Sequence, residues 1–244
     1  MISTRKYIKP ICYYEDVNRI SSSIQKLAIE EVLTYLGQYG VFVWKIAPNV
    51  FIALDYETKY KNLYRASIVS IPLSEDFLLK SALEITYGVK LYTEQDLRNI
   101  LRGLIVHREY SHALGFLIPC EFEVKIVCRN KGIVGIADIV CGNYVIEIKT
   151  SSSLRKEHIY QLLIYMDLLR KPQGFLVYED KVVEFSLDEN LDLLSEAYKR
   201  LHEIYGKIHS LAKNLPHYKN KFLKRFNMKI DEIIEKLNNL TFIA

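Results

Sequence analysis

The dipeptide Gly142-Asn143, set between two stretches of alternating polarity, restricts this chain more than any other feature. Both residues tolerate positive φ, so the pair favours a two-residue turn and folds its flanks into a β-hairpin. The turn sets the register: Cys141 opposes Tyr144, Ile139 opposes Ile146, and Asp138 opposes Glu147. Directly opposed residues hold their Cβ atoms about 4.5–5.5 Å apart on one face. Alternation then adds Lys149 to the face of Glu147 and leaves Ala137, Ile139, Ile146 and Ile148 as an apolar face behind it. A slip of one residue would bury the charges and expose the isoleucines, so the register is well specified.

Two opposed carboxylates repel unless something binds between them, and a divalent cation is the chemical candidate. A solvated polar face with a Glu–Lys ladder is the alternative from the hairpin alone. The preceding stretch, Cys120 to Cys128, alternates as a strand should: Phe122, Val124 and Ile126 on one face, Glu121, Glu123 and Lys125 on the other. Arg129-Asn130-Lys131-Gly132 supplies its turn. This strand brings Glu123 toward Asp138, as a group behind the ligands or one bound through water, whereas Glu121 reads as surface.

Helices flank the strands. Thr93-Glu94-Gln95-Asp96 reads as a capping box opening a helix with an inner stripe of Leu97, Ile100, Leu101 and Leu104, stopped near Gly115. His107 falls at the edge of that stripe, where a histidine is ordinarily a satisfied core residue. After the hairpin, Ser151-Ser152-Ser153 is the expected cap of a helix reaching about Arg170, on which His158, Gln161 and Tyr165 share one face.

Taken in order, Gly103-(x)3-His107, Gly135-(x)2-Asp138, Glu147-Ile148-Lys149 and Gln161-(x)3-Tyr165 resemble the RecB-like branch of the PD-(D/E)xK nucleases. Within it, the similarity is to the CRISPR-associated "Cas-four" exonucleases and their relatives in archaeal viruses and helicase-nucleases. It covers roughly Thr93 to Glu184. The resemblance implies a restriction-endonuclease-like α/β fold, a mixed central sheet flanked by helices. It also implies that His107, Asp138, Glu147 and the Ile148 carbonyl hold Mg²⁺ or Mn²⁺, ions suited to hard oxygen ligands, with the imidazole favouring manganese. Asp138, Glu147, Lys149, Gln161 and Tyr165 would form the catalytic set. Lys149 would position or deprotonate water, and Gln161 and Tyr165 would orient the lysine or hold the nucleic-acid backbone.

The chain departs from that family at its cysteines. Its CRISPR-associated members hold a [4Fe–4S] cluster through one upstream and three C-terminal cysteines. Here the four cysteines are Cys12, Cys120, Cys128 and Cys141, so no iron–sulfur cluster of that type is expected. They read as small hydrophobes or free thiols, with a disulfide open to a hyperthermophilic host.

Three consecutive segments are expected: a helical and β extension over 1–92, a nuclease core over 93–187, and C-terminal helices over 188–244. In the first, Asp16 to Gln38 reads as one helix, Val41–Ile46 and Val50–Leu54 as strands, Tyr56–Tyr64 as a loop, Ile68–Ile71 as an extended run, and a helix capped by Ser74 follows. Beyond the core, strands at Phe175–Tyr178 and Val182–Phe185 precede a helix from about Glu189 to Leu211 and an amphipathic last helix.

The net charge of +4 over 244 residues is mild, but Gly206 to Ile230 holds seven lysines and arginines and no acid. Lys219, Lys221, Phe222, Lys224 and Arg225 are its candidate contacts to nucleic acid, basic groups for phosphates and a ring for stacking on bases; a solvated helix face is the alternative. No apolar run approaches the length of a membrane span, and no secretory signal opens the chain. A cytoplasmic location and no membrane partner are expected. The resulting expectation is a metal-dependent DNA nuclease, an exonuclease on single-stranded or frayed ends, in CRISPR adaptation or viral DNA processing. Other proteins of those processes, or a second copy, would be its partners. A structure-specific or restriction-type endonuclease, or a catalytically silent DNA-binding subunit, are the alternatives.

Overall fold

A computed structural model describes residues 14–54, 63–71, 73–115, 119–151, 153–178 and 180–240. In chain order it contains α1 (Tyr14–Lys26), α2 (Ile29–Gln38), β1 (Trp44–Ala47), β2 (Val50–Leu54), β3 (Tyr64–Arg65), a 3₁₀ turn (Ala66–Ser70), α3 (Glu75–Tyr87), β4 (Val89–Tyr92) and α4 (Glu94–Gly115). Then follow β5 (Glu121–Cys128), β6 (Ile133–Cys141), β7 (Tyr144–Ile148), α5 (Lys156–Leu169), β8 (Gln173–Val177), β9 (Val182–Ser186), α6 (Leu191–Lys213), β10 (Phe222–Leu223), β11 (Met228–Lys229) and α7 (Ile230–Asn238). The fold is mixed α/β. No helix of the described residues is long and apolar enough to cross a membrane.

Local chemistry sets most boundaries. Ser74 Oγ accepts the Phe77 N–H at the start of α3, and Gly88, at φ +66°, closes it. Thr93 and Asp96 form the reciprocal box at the start of α4: the Asp96 N–H donates to Thr93 Oγ1, and Asp96 Oδ2 accepts the Thr93 N–H. Some expectations need correction. The helix expected over Asp16–Gln38 is broken at Ala28, whose extended backbone lets Glu31 accept the Ala28 N–H and start α2 afresh. The run Ile68–Ile71 lies largely in the 3₁₀ turn rather than in a strand. α5 starts at Lys156, with Arg155 at its capping position in place of the serines before it. A strand absent from the sequence reading, β4, pairs with β2. The expected loop over Tyr56–Tyr64 and Cys12 lie outside the described residues, apart from the last residues of that loop.

Two compact units make up the chain, and neither is continuous. One comprises Met1–Ser22, Asn62–Pro72 and Gly103–Ile204; the other comprises Ser23–Lys61, Leu73–Arg102 and Tyr205–Ala244. The units therefore do not follow the consecutive segments 1–92, 93–187 and 188–244, because α4 and α6 each contribute to both.

The second unit is built on the antiparallel sheet β1-β2-β4. Phe51, Ile52, Leu79, Leu83 and Leu91 are fully buried in it, and the hairpin β10-β11 lies beside α3.

The first unit holds the six-stranded mixed sheet. β6 pairs antiparallel with β5 along one edge; on its other edge β7 pairs with residues 139–141 and β3 with residues 133–134. Between those two partners the edge of β6 is open from Gly135 to Asp138. β7 continues into a parallel pairing with β8, the β7–α5–β8 crossover, and β9 closes the sheet. α5 covers one face, where Gly174 admits Met166 and Leu162 because it has no Cβ. Val106 of α4 packs on the other face against Ile139, Cys141, Ile148 and Val177.

Candidate active site

The site forms where the strand pairing gives way. The hairpin register holds for Cys141–Tyr144 and Ile139–Ile146, with Gly142 at φ +52° in the turn. At the next position the backbone pairing ends, and side chains replace it. Asp138 Oδ2 accepts the Ile148 N–H at 2.7 Å, and Glu147 Oε1 accepts the Asp138 N–H at 3.2 Å. The two carboxylates thus close an open stretch of sheet edge, which keeps the strands apart and the acids together.

Ala137 and Ile139 are both buried, as expected, but strict alternation fails along β6 between Gly135 and Ile139. Gly135 faces Tyr165 of α5, whereas Ile139, of the same parity, packs with Val106 on the opposite side. The interruption falls at Asp138, opposite Glu123. Glu123 has φ +50°, an uncommon backbone for a side-chain-bearing residue within a strand. Phe122 and Val124 keep their partners Ile139 and Ala137, so no residue is inserted; the chain is rotated about Glu123.

Lys149 is clasped at the head of α5. Its ammonium donates to Glu147 Oε2 at 3.0 Å and to Gln161 Oε1 at 2.8 Å. The Gln161 amide in turn donates to Glu147 Oε2 at 3.0 Å and reaches the Tyr165 hydroxyl at 3.4 Å. Lysine only donates and carboxylate only accepts, so this network fixes the orientation of the amide. Glu147, Gln161 and Tyr165 are all buried.

Burial lifts both carboxyls above their ordinary range. Asp138 is pushed up to about 6, with Lys149 and the Ile148 N–H pulling it back. Glu147 is pushed up to about 7 by burial and by the Asp138 charge. Burial also raises the Tyr165 hydroxyl, which stays protonated. His107 Nδ1 lies 3.5 Å from Asp138 Oδ1. Burial lowers its basicity, while the charges of Glu147 and Glu123 and the Ile148 carbonyl act against that.

The hairpin, the lysine, both α5 residues and His107 therefore come together in one place, with Glu123 near enough to act on Asp138 and His107. Among the described residues, however, no three His, Cys, Asp or Glu side chains are gathered as a ready cage for a metal ion. The residues nonetheless fit a divalent cation. The buried Glu147 and the half-buried Asp138 face one ammonium, and a cation would offset the cost of holding both charged in a desolvated place, the burial that raises their pKa values. Asp138, Glu147 and the Ile148 carbonyl are hard oxygen donors, and Mg²⁺ typically retains several waters beside one or two carboxylates.

Other candidates fare differently. Gly103 has open space where a Cβ would stand, so packing does not require glycine there. The basic segment begins in the last turns of α6, which carry Lys207 and Lys213, and its candidate contacts from Lys219 to Arg225 lie beyond it, in and before a small hairpin rather than on a helix face. Lys221 is paired with Glu75 at 2.9 Å, and Arg225 binds Asp96 through Nη2 at 2.5 Å. Lys219, Phe222 and Lys224 are exposed, while Phe226 is buried. Cys120 and Cys141 are joined in a disulfide rather than standing as separate thiols, and Cys128 is free. The sequence reading missed Arg155 and Tyr178, which flank His158; nothing in their spacing marks them.

A carboxylate pair and a lysine at the end of a helix-covered mixed sheet define a class of site suited to binding a cation beside an anionic substrate. Residues 112–185 match the family described as the PD-(D/E)XK nuclease superfamily. The matched segment carries Asp138, Glu147, Lys149, Gln161 and Tyr165 and begins beyond His107; the match is to the superfamily and does not single out a branch. Among solved structures, the chain is similar to SSO0001 at 21% identity, covering 74% of this chain and 86% of that one, with a TM-score of 0.48. It is also similar to LHK-Exo in complex with dAMP at 13% identity, covering 65% and 94%, with a TM-score of 0.48. A structure of the alkaline exonuclease LHK-Exo from Laribacter hongkongensis is 14% identical over 65% and 96%, with a TM-score of 0.41.

Proposed function

We propose that this chain is a divalent-metal-dependent nuclease that hydrolyses DNA phosphodiesters, acting on single-stranded or frayed ends. The observation that carries the reading is the clasp of Lys149 between Glu147 and Gln161, beside the Asp138–Glu147 carboxylate pair. Such a grouping holds negative and positive charge in fixed positions, which suits a reaction whose substrate and transition state are both anionic. The superfamily match over the same residues supports the same chemistry.

Asp138, Glu147 and the Ile148 carbonyl would hold Mg²⁺ or Mn²⁺, with His107 beside them. The bound ion would polarise the scissile phosphate and lower the pKa of a ligated water. Lys149 directs its ammonium at charge building on the phosphate oxygens. Gln161 keeps Lys149 and Glu147 in register through its two hydrogen bonds, and Tyr165 backs the amide. The exposed Lys219, Phe222 and Lys224 are proposed as a further contact to an unpaired strand.

The test is incubation with end-labelled linear and with circular single-stranded DNA, in Mn²⁺, Mg²⁺ or EDTA. Cutting of the linear substrate alone supports an exonuclease, and cutting of both indicates an endonuclease. Glu147→Ala and Lys149→Ala should each abolish cleavage while binding survives. Absence of cation-dependent cutting by the unaltered protein would refute the proposal.

A further inference from the structure

Arg155 belongs to no part of the machinery described so far. It stands just before α5, and its Nη2 donates to His158 Nε2 at 2.7 Å. Arginine only donates, so Nε2 is the acceptor and the ring carries its proton on Nδ1. Nδ1 then donates to the Tyr178 hydroxyl at 2.8 Å. His158 is buried, and burial together with the charges of Lys149 and Arg155 lowers its pKa to about 4, so the ring is neutral. Arg155 is thus held by a neutral group, and among the described residues no carboxylate pairs with it.

Two cations crowd this place. Lys149 and Arg155 both act on the His158 imidazole, with Glu157 acting in the opposite sense, and Lys149 is already paired with Glu147. Arg155 Nε is buried without a partner, and so is Ser151 Oγ on the segment joining Lys149 to Arg155. Buried polar groups are ordinarily satisfied, so two orphans on one short segment need a ligand or water. The location has the same implication: Lys149 and Tyr178 follow the carboxyl ends of the parallel strands β7 and β8, where open α/β sheets accept ligands. A guanidinium presents a planar fork matched to phosphate oxygens.

We infer that Arg155, held in place by His158 and Tyr178, binds a phosphodiester of the nucleic-acid strand next to Lys149. Arg155 touches the substrate; His158 and Tyr178 are positioning residues. The inference rests on the nuclease reading above.

The experiment measures binding of a fluorescent oligothymidylate in EDTA across a range of salt concentrations. Removing one phosphate contact lowers the slope of log K against log salt by about 0.7 for single strands. Arg155→Ala should show that loss, with affinity about tenfold weaker in moderate salt. Lys156→Ala removes the same charge one residue away, from a lysine already paired with Glu196, and should leave the slope unchanged. His158→Phe should weaken binding, Arg155→Ala/His158→Phe should be no weaker than Arg155→Ala alone, and His158→Gln, which can both accept and donate, should restore it. Should Arg155→Ala melt early, Arg155→Lys serves in its place, keeping the slope while losing affinity. An unchanged slope and affinity in Arg155→Ala, or additive effects of the two positions, would overturn the inference while leaving the nuclease reading intact. Failure of the unaltered protein both to bind the oligonucleotide and to cut it with Mn²⁺ would overturn both.

Discussion

Gly135 lies beneath the ring of Tyr165: a Cβ at position 135 would come within 2.5 Å of Tyr165 Cε1. The absence of a side chain on β6 therefore sets how closely α5 approaches the open sheet edge, and with it where Gln161 meets Lys149. Gly135→Ala should destabilise the protein by about 1–3 kcal/mol through overpacking, and cleavage should fall further than stability alone explains. Denaturant unfolding beside cleavage assays checks this. In a Tyr165→Ala background the added stability loss from Gly135→Ala should vanish, because the clash is with the ring.

The disulfide Cys120–Cys141 ties the residue before β5 to the end of β6, with a Cα separation of 4.4 Å. Closing a loop of this size contributes about 3 kcal/mol in the chain-entropy treatment. Thermal melts should therefore fall by several degrees with a reductant, or in Cys120→Ser/Cys141→Ser, whereas Cys128→Ser should melt as the parent does. Equal melting of all forms, oxidised and reduced, would show the bond to be absent or without effect.

The carboxylate pair gives a pH dependence of definite sign. Asp138 and Glu147 are raised in the folded state to about 6 and about 7, above their unfolded values. Their contribution to stability is present while they are protonated and is lost as pH rises through those values. A divalent cation that neutralises them restores it. Differential scanning fluorimetry should show Mn²⁺ raising the melting temperature more at pH 8 than at pH 5.5, with the increase absent in Glu147→Gln. A cation effect independent of pH and of Glu147 would place the ion elsewhere.

In the small hairpin of the second unit, residues should separate by their existing partners. Phe222→Ala, Lys219→Ala and Lys224→Ala should each weaken single-stranded DNA binding, because these groups are exposed. Lys221→Ala and Arg225→Ala should weaken it less, since Glu75 and Asp96 already occupy those charges. Fluorescence anisotropy titrations would rank them; the reverse order would remove the hairpin from the binding surface.

Much of the site is legible in the chain because its causes are local. A two-residue turn and alternation suffice to set Asp138 near Glu147, with Lys149 two residues on, and helical periodicity puts Gln161 and Tyr165 on one face. The cap of α3 at Ser74 and the box at Thr93 and Asp96 are equally local. What lies beyond sequence is set by contacts between distant segments. Glu123 on β5 holds its unusual φ opposite Asp138, the stretch of β6 across which Gly135 and Ile139 come to face opposite sides. The lack of acids within Gly206–Ile230 suggested a free basic patch, yet α3 and α4 supply Glu75 and Asp96 from afar. The Cys120–Cys141 bond depends on how β5 lies along β6, and the anchoring of Arg155 on His158 and Tyr178 needs the β7–α5–β8 crossover. Local propensity thus determined which residues could serve; the burial that raises the carboxyl pKa values, and the partners that occupy or free each cation, were decided by the tertiary packing.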